Sequence, residues 1–297
     1  MNRRLILAFP LTFTLSIPAA ADQVVIDASA DSTLIEIPDD FSNGAGAAFV
    51  VGGTSNVGMR RGLVRFDIAA AIPADATIDS VTLELETIQV AGGLTAATLT
   101  LHNALADWGE GASEGPGGNG APAETDDATW LCARYDGVDS CTAAWSNVGG
   151  DYDNSPDGST DIVGTIQPYA FETEPGTVSR VQAWLDDPTT NYGWVMVSDV
   201  EALSQTVAHF QTKEGGTGPQ LVVDYTEADP PTDTDTDPPT DTDPPTDTDT
   251  DADTDTDTGP DTGLGGDKPG GCGCSNSGNQ PAFWLLGIAL LAGRRRN

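Results

Sequence analysis

The amino-acid sequence predicts an all-β domain, a two-sheet antiparallel β-sandwich or jelly roll with one short helical turn, followed by a disordered linker. Three observations carry that prediction. Period-2 alternation of apolar and polar residues recurs through residues 22–226, most cleanly in Val81-Thr82-Leu83-Glu84-Leu85-Glu86. Clusters of Gly, Pro, Asn and Asp interrupt the alternation at intervals that suit short strands. Helical spacing shows clearly in one place, where Val181, Trp184 and Leu185 fall at i, i+3 and i+4 and share one face of a turn.

The two ends of the chain differ in composition from the part between them. Arg3 and Arg4, the apolar run 5–17 and Ala19-Ala20-Ala21 read as the charged region, apolar region and small-residue cleavage site of a Sec signal peptide, residues 1–21. No Cys follows the cut, which argues against an N-terminal lipoprotein. Residues 22–226 then suffice for one core. They hold 31 Asp+Glu against 6 Lys+Arg, a net of −25. So acidic a surface excludes nucleic acid as a partner, repels anionic membrane and suits an extracellular, saline or Ca²⁺-rich setting.

In order, Val24-Val25-Ile26 and residues 33–37 open the domain as strands, and 38–46 is a turn-rich loop before a short strand at 48–51. In 62–68, Val64, Phe66 and Ile68 face inward while Arg65 and Asp67 face out. Val81, Leu83 and Leu85 repeat the pattern, as do Leu99 and Leu101. Residues 109–125 form a long Gly/Pro/Ser insertion without periodicity, a loop expected to be functional or disordered. Strands follow at 129–133, 162–166, 195–198, 206–212 and 221–225, roughly ten in all. The helical turn starts from Ser179 as N-cap and stops before Pro188. A tight Asn191-Tyr192-Gly193 turn delivers it into the strand that begins at Trp194.

Cys132 and Cys141 lie in the exported domain and are expected to form a disulfide closing a surface loop. Residues 227–268 are Asp/Thr/Pro repeats that like charge and Pro keep extended; at ~3.1 Å per residue such a stalk reaches on the order of 100 Å. In residues 269–297, Cys272 and Cys274 precede the apolar run 282–292 and the cluster Arg294-Arg295-Arg296. That run falls short of the ~20 residues a lone span wants. The segment reads as a sorting tail, cut and anchored at Cys272 or Cys274 by protease and lipidation machinery, and the only part of the chain that meets membrane.

Sites of chemistry are sparse. Gly111-Ala112-Ser113-Glu114-Gly115 satisfies G-x-S-x-G and residues 115–120 satisfy G-x-G-x-x-G, but neither has the strand–turn–helix setting its chemistry requires. No carboxylate pair stands out, so no residue is assigned to catalysis. Asp151, Asp153 and Asp157 place hard oxygen ligands at alternate positions of one loop, as Ca²⁺ prefers, against the plainer reading of a solvated Asx turn; Ca²⁺ is the one candidate cofactor. Trp108, Trp130 and Tyr152, near loops, are the candidates for stacking on a sugar ring, whereas Trp184 and Trp194 belong to the core.

Gly62-Leu63-Val64-Arg65-Phe66-Asp67, Asp107-Trp108-Gly109-Glu110-Gly111, Ala128-Thr129-Trp130, Gly149-Gly150-Asp151-Tyr152 and His209-Phe210-Gln211-Thr212-Lys213-Glu214, together with the stretch 181–197, resemble the DNRLRE domain family in the family's order. The resemblance covers most of residues 22–226 and implies a β-sandwich used as a surface or carbohydrate-binding-like module. The family often has a basic residue where His209 stands here. Gly271-Cys272-Gly273-Cys274 with Arg294-Arg295-Arg296 resembles the MYXO-CTERM sorting signals, which implies processing at the Cys motif and delivery to the cell surface or outer membrane. The expectation is a non-catalytic module binding polysaccharide or extracellular matrix. The alternatives are a structural envelope or matrix protein and a polysaccharide-acting enzyme.

Overall fold

The computed structural model describes residues 21–56 and 58–228. Residues 1–20, the 229–268 part of the linker and the tail with Cys272, Cys274, Arg294, Arg295 and Arg296 lie outside the described residues, so the expectations made for them stay with the sequence.

The described chain is an all-β sandwich with antiparallel sheets. The strands are β1 (Ala21–Ile35), β2 (Phe41–Ser42), β3 (Ala48–Gly53), β4 (Met59–Phe66), β5 (Thr77–Val90), β6 (Ala96–Asn103), β7 (Ala121–Pro122), β8 (Cys132–Tyr135), β9 (Cys141–Ala144), β10 (Gly158–Val163), β11 (Pro168–Phe171), β12 (Trp194–Ser198), β13 (Ala208–Gln211) and β14 (Gln220–Thr226). Two α-helices interrupt them, α1 (Ile68–Ala71) and α2 (Pro175–Asp186).

The first two predicted strands are one, and this strand organises the sandwich. Its first half, from Ala21 to Asp27, pairs with β14. After an irregularity between Ala28 and Ala30, its second half pairs with β4. One sheet therefore runs β1–β14–β5–β11 and the other β1–β4–β12–β6–β10. On the far side β13 pairs with both β5 and β3, and β3 reaches β4, which closes the sandwich there as well. A bulge turns a strand's direction and lets one chain serve two sheets.

The main core lies between the sheets. Val64 and Phe66 of β4, Val81, Leu83 and Leu85 of β5 and Leu99 and Leu101 of β6 are all buried there, as their alternation predicts. Ile68 is buried too, but as the first residue of α1, because the Asp67 side chain accepts the Ala70 N–H and starts a helix.

The helical turn is longer than its apolar spacing shows. Helix α2 begins at Pro175, where a proline costs nothing because the first helical N–H has no intrahelical partner. Thr177 Oγ1 accepts the Glu174 N–H at 3.1 Å, so the start lies upstream of Ser179. Val181, Trp184 and Leu185 are buried, and the helix ends before Pro188 as predicted.

The insertion 109–125 is an ordered covering layer. Leu63 and Val195, on the opposite faces of β4 and β12 from Val64 and Trp194, pack with Leu34, Trp108, Trp130 and Trp145 into a second core outside the sheet. The 104–152 region that supplies these tryptophans includes the hairpin β8–β9. There Cys132 and Cys141 are disulfide-bonded with Cα atoms 5.2 Å apart.

Candidate functional site

The aromatic side chains nominated for sugar stacking are not free to stack. Trp108 has no exposed surface: its indole N–H donates to the Tyr192 carbonyl at 2.7 Å and the Arg65 guanidinium lies 5.0 Å from its ring centre. Trp130 is buried, with the Arg61 guanidinium 4.9 Å from its ring centre. Gly149, at φ 84°, lies so close that a Cβ there would meet the Trp130 ring at 2.7 Å. Tyr152 is half-buried, 5.4 Å from the same guanidinium and 5.1 Å from the His102 ring. Their positions beside loops suggested exposure, but the loops fold over them and arginines cover what remains of the rings. Trp108 and Trp130 are therefore core residues.

Asp151, Asp153 and Asp157 do not converge on one cation either; among the described residues their oxygens do not gather within 4.8 Å of one another. Asp151 accepts the N–H groups of Ser146 and Asn147 at 2.7 and 2.8 Å and so pins the preceding turn. Asp157 accepts from Arg180 Nε at 2.9 Å and from the Trp194 indole N–H at 2.9 Å, while Asp153 accepts from Arg180 Nη2 at 3.2 Å. One arginine on α2 compensates two of the three carboxylates and locks the loop to the helix and the core tryptophan. The sequence signal was a single basic residue on a helix facing an acidic loop, legible only once the loop is known to lie against the helix.

A pocket that sequence reasoning missed lies on the outer face of β13. His209 sits between its cross-strand partners Val50 and Gln89, and all three side chains point away from the core because Phe210 turns inward to stack on Phe49 with ring centres 5.4 Å apart. The segment 115–120 passes over this face, where Gly118, at φ 74°, is so close that a Cβ would lie 3.0 Å from His209 Nδ1. Between them is a cavity of ≈ 260 Å³ lined also by Ser55, Arg60, Asn119 and Gln205.

The electrostatics of this cavity differ from the rest of the domain. Of the six basic residues in 22–226, five make ion pairs with Asp or Glu; Arg60 alone has no carboxylate within that range among the described residues. Its guanidinium donates to the carbonyls of Met59 and Ile37 at 3.0 Å each. Burial pushes Arg60 down to about 10, partly opposed by Glu36, so it stays charged at neutral pH. Burial also lowers the His209 imidazole, which keeps it neutral, with one donor and one acceptor nitrogen. Among the described residues the His209 ring makes no hydrogen bond to protein, and the exposed amides of Gln89 and Gln205 are left to solvent or a ligand. Gln205 is also held at φ 60°, a strained conformation for a residue with a Cβ. The arrangement offers hydroxyl-matching donors and acceptors around one unpaired positive charge.

Elsewhere, Ser113 of the G-x-S-x-G match is buried in the covering loop. His102 is held by Thr100 Oγ1 and the Asp153 carbonyl at 2.8 and 2.7 Å. Comparisons with protein-family models and with curated proteins find no match to this chain.

Proposed function

We propose that the domain is an exported, surface-tethered, non-catalytic module that binds glycan or extracellular matrix, and that it does so through the Arg60–His209 pocket. The observation that carries this reading is the set of polar side chains around that cavity, Gln89, Gln205 and His209, which have no protein partner among the described residues, beside Arg60, the one basic residue there without an ion pair. Polyhydroxylated ligands suit such a set, because each sugar hydroxyl both donates and accepts. Arg60 adds a preference for a carboxylate- or sulfate-bearing sugar. At ≈ 260 Å³ the cavity lies just below the ~300–1,000 Å³ of sites for drug-sized ligands, so it suits one sugar unit of a chain. The DNRLRE resemblance supports the same class of partner. The signal peptide, acidic stalk and Cys-containing tail support export through the Sec pathway and presentation at the cell surface.

A structural envelope or matrix role is the second reading, and the burial of all five tryptophans of the described domain favours it. A glycan array probed with the purified full chain separates the two. Binding that is lost in Gln89→Ala and Gln205→Ala variants of unchanged melting temperature supports the pocket. Retained binding in those variants moves the site elsewhere, and an array without hits favours the structural role.

A further inference from the structure

Three carboxylates from distant parts of the chain meet beside the half of β1 that pairs with β4. Asp31 of β1, Glu110 of the covering loop and Glu214 of the turn after β13 each bring an oxygen within 4.8 Å of the other two. Asp31 has no exposed surface. Its backbone N–H donates to Glu110 Oε1 at 2.8 Å, and its Oδ2 accepts the Lys213 N–H at 3.0 Å. Its other oxygen, Oδ1, is buried without any hydrogen-bond partner. The Lys213 ammonium pairs with Glu110 Oε2 at 3.1 Å and with Glu214, and leaves Asp31 Oδ1 unmet.

A buried carboxylate oxygen without a partner is costly: burial pushes Asp31 up to about 7, and native proteins relieve such a group with a proton, a water or an ion. Water needs further polar partners. A cation needs only oxygens, and here three carboxylates face a single ammonium. We propose that Asp31, Glu110 and Glu214 bind one hard divalent cation, Ca²⁺, which ties β1 to the covering loop and to the turn after β13. Ca²⁺ takes six to eight oxygens in irregular geometry; the three carboxylates supply between three and six, and the partly exposed Glu110 and Glu214 leave room for water. Mg²⁺ requires a tighter octahedron. Lys213 keeps 30% of its side chain exposed, so its ammonium can withdraw to solvent as the ion enters.

The test uses the full chain stripped of metal, titrated with CaCl₂ by calorimetry and followed by thermal melting. The acidic stalk collects Ca²⁺ diffusely, so the titration is run in ~1 M NaCl, where such screening-sensitive binding is suppressed. The expected result is one saturable site and a melting temperature that climbs with the logarithm of Ca²⁺ concentration above Kd. Glu214→Gln, at a partly exposed position that the fold tolerates, should weaken Ca²⁺ binding at least tenfold. Lys213→Gln should tighten it several-fold, because it removes the competing charge. A purely structural ion-pair cluster predicts the reverse for Lys213, a loss of stability with no gain in Ca²⁺ response. No Ca²⁺-dependent melting shift, a shift unchanged in Glu214→Gln, or an equal response to Mg²⁺ overturns the proposal.

Discussion

Replacing Trp184 by alanine should be among the most damaging single changes in the domain. Trp184 is 1% exposed and meets Trp194 with ring centres 4.5 Å apart at a 59° tilt. Truncating a buried tryptophan costs about 3–5 kcal/mol, and the lost aromatic pair adds about 0.5–1.5 kcal/mol. One observation works the other way: the Trp184 indole N–H is buried without a partner, a penalty of about 1–3 kcal/mol that the substitution removes. The net expectation is a loss of about 3 kcal/mol. For a domain of this size each kcal/mol is worth ~2–4 °C, so the melting temperature should fall by roughly 6–12 °C. Trp184→Phe keeps a ring against Trp194 and deletes only the orphan donor and some volume, so it should melt within a few degrees of the parent chain. Thermal unfolding followed by near-ultraviolet circular dichroism reads both. A near-parental melting temperature for Trp184→Ala would refute the placement of Trp184 in the core. A Trp184→Phe variant as damaged as Trp184→Ala would refute the argument from the orphan N–H.

Arg180→Met should cost about 2–3 kcal/mol in chemical denaturation. This is less than the 3–5 kcal/mol of a fully buried pair because Arg180 keeps 26% of its side chain exposed, but Asp157, at 9%, is left charged beside Trp194. A parallel Asp157→Asn, Arg180→Met double variant should recover part of that loss, and no recovery would mean the two side chains act independently. Removing the Cys132–Cys141 bond as a double alanine variant should cost about 2–3 kcal/mol, the loop entropy of a link between residues nine apart. A melting temperature insensitive to reductant would contradict it. The His209 imidazole is lowered by burial, so the folded state resists its protonation. Its contribution to stability is present in full above the unfolded value of about 6.5 and is lost as pH falls from there through the lower folded value. His209→Gln should flatten that part of the stability–pH curve, and an unchanged curve would show that His209 titrates freely.

Much of the architecture was legible in residue order, because the signals involved are local. Alternation in Val81, Leu83 and Leu85 names the inner face of β5 with no knowledge of what it packs against, since successive strand side chains must point to opposite faces. Val181, Trp184 and Leu185 name the buried face of α2 for the equivalent reason at helical spacing, although they understate its length: the upstream turns carry Pro175 and Gly176, which read as breakers away from a helix start. The pairing of Cys132 with Cys141 was expected from their proximity in sequence and from the expected export of the domain. The proposal of export and surface anchoring rests wholly on the sequence of the termini, through charge, apolar length and cysteine context.

What only the tertiary structure decided is which surfaces stay open. Trp108 stands beside a segment with no periodicity and Trp130 in a stretch that reads as a strand, although the strand there starts only at Cys132; nothing local says that residues 104–152 fold back over the outer face of β4 and β12 and bury both rings. Exposure is a property of the whole chain, because a side chain is covered by whatever else comes to lie on it. The same holds for charge. In a sequence with 31 acidic and 6 basic residues between 22 and 226, no count reveals that five of the basic residues are neutralised locally and that Arg60 is not. Nor can residue order bring Asp31, Glu110 and Glu214 together. They lie far apart along the chain, and only the tertiary structure sets the covering loop and the turn after β13 against the same stretch of β1.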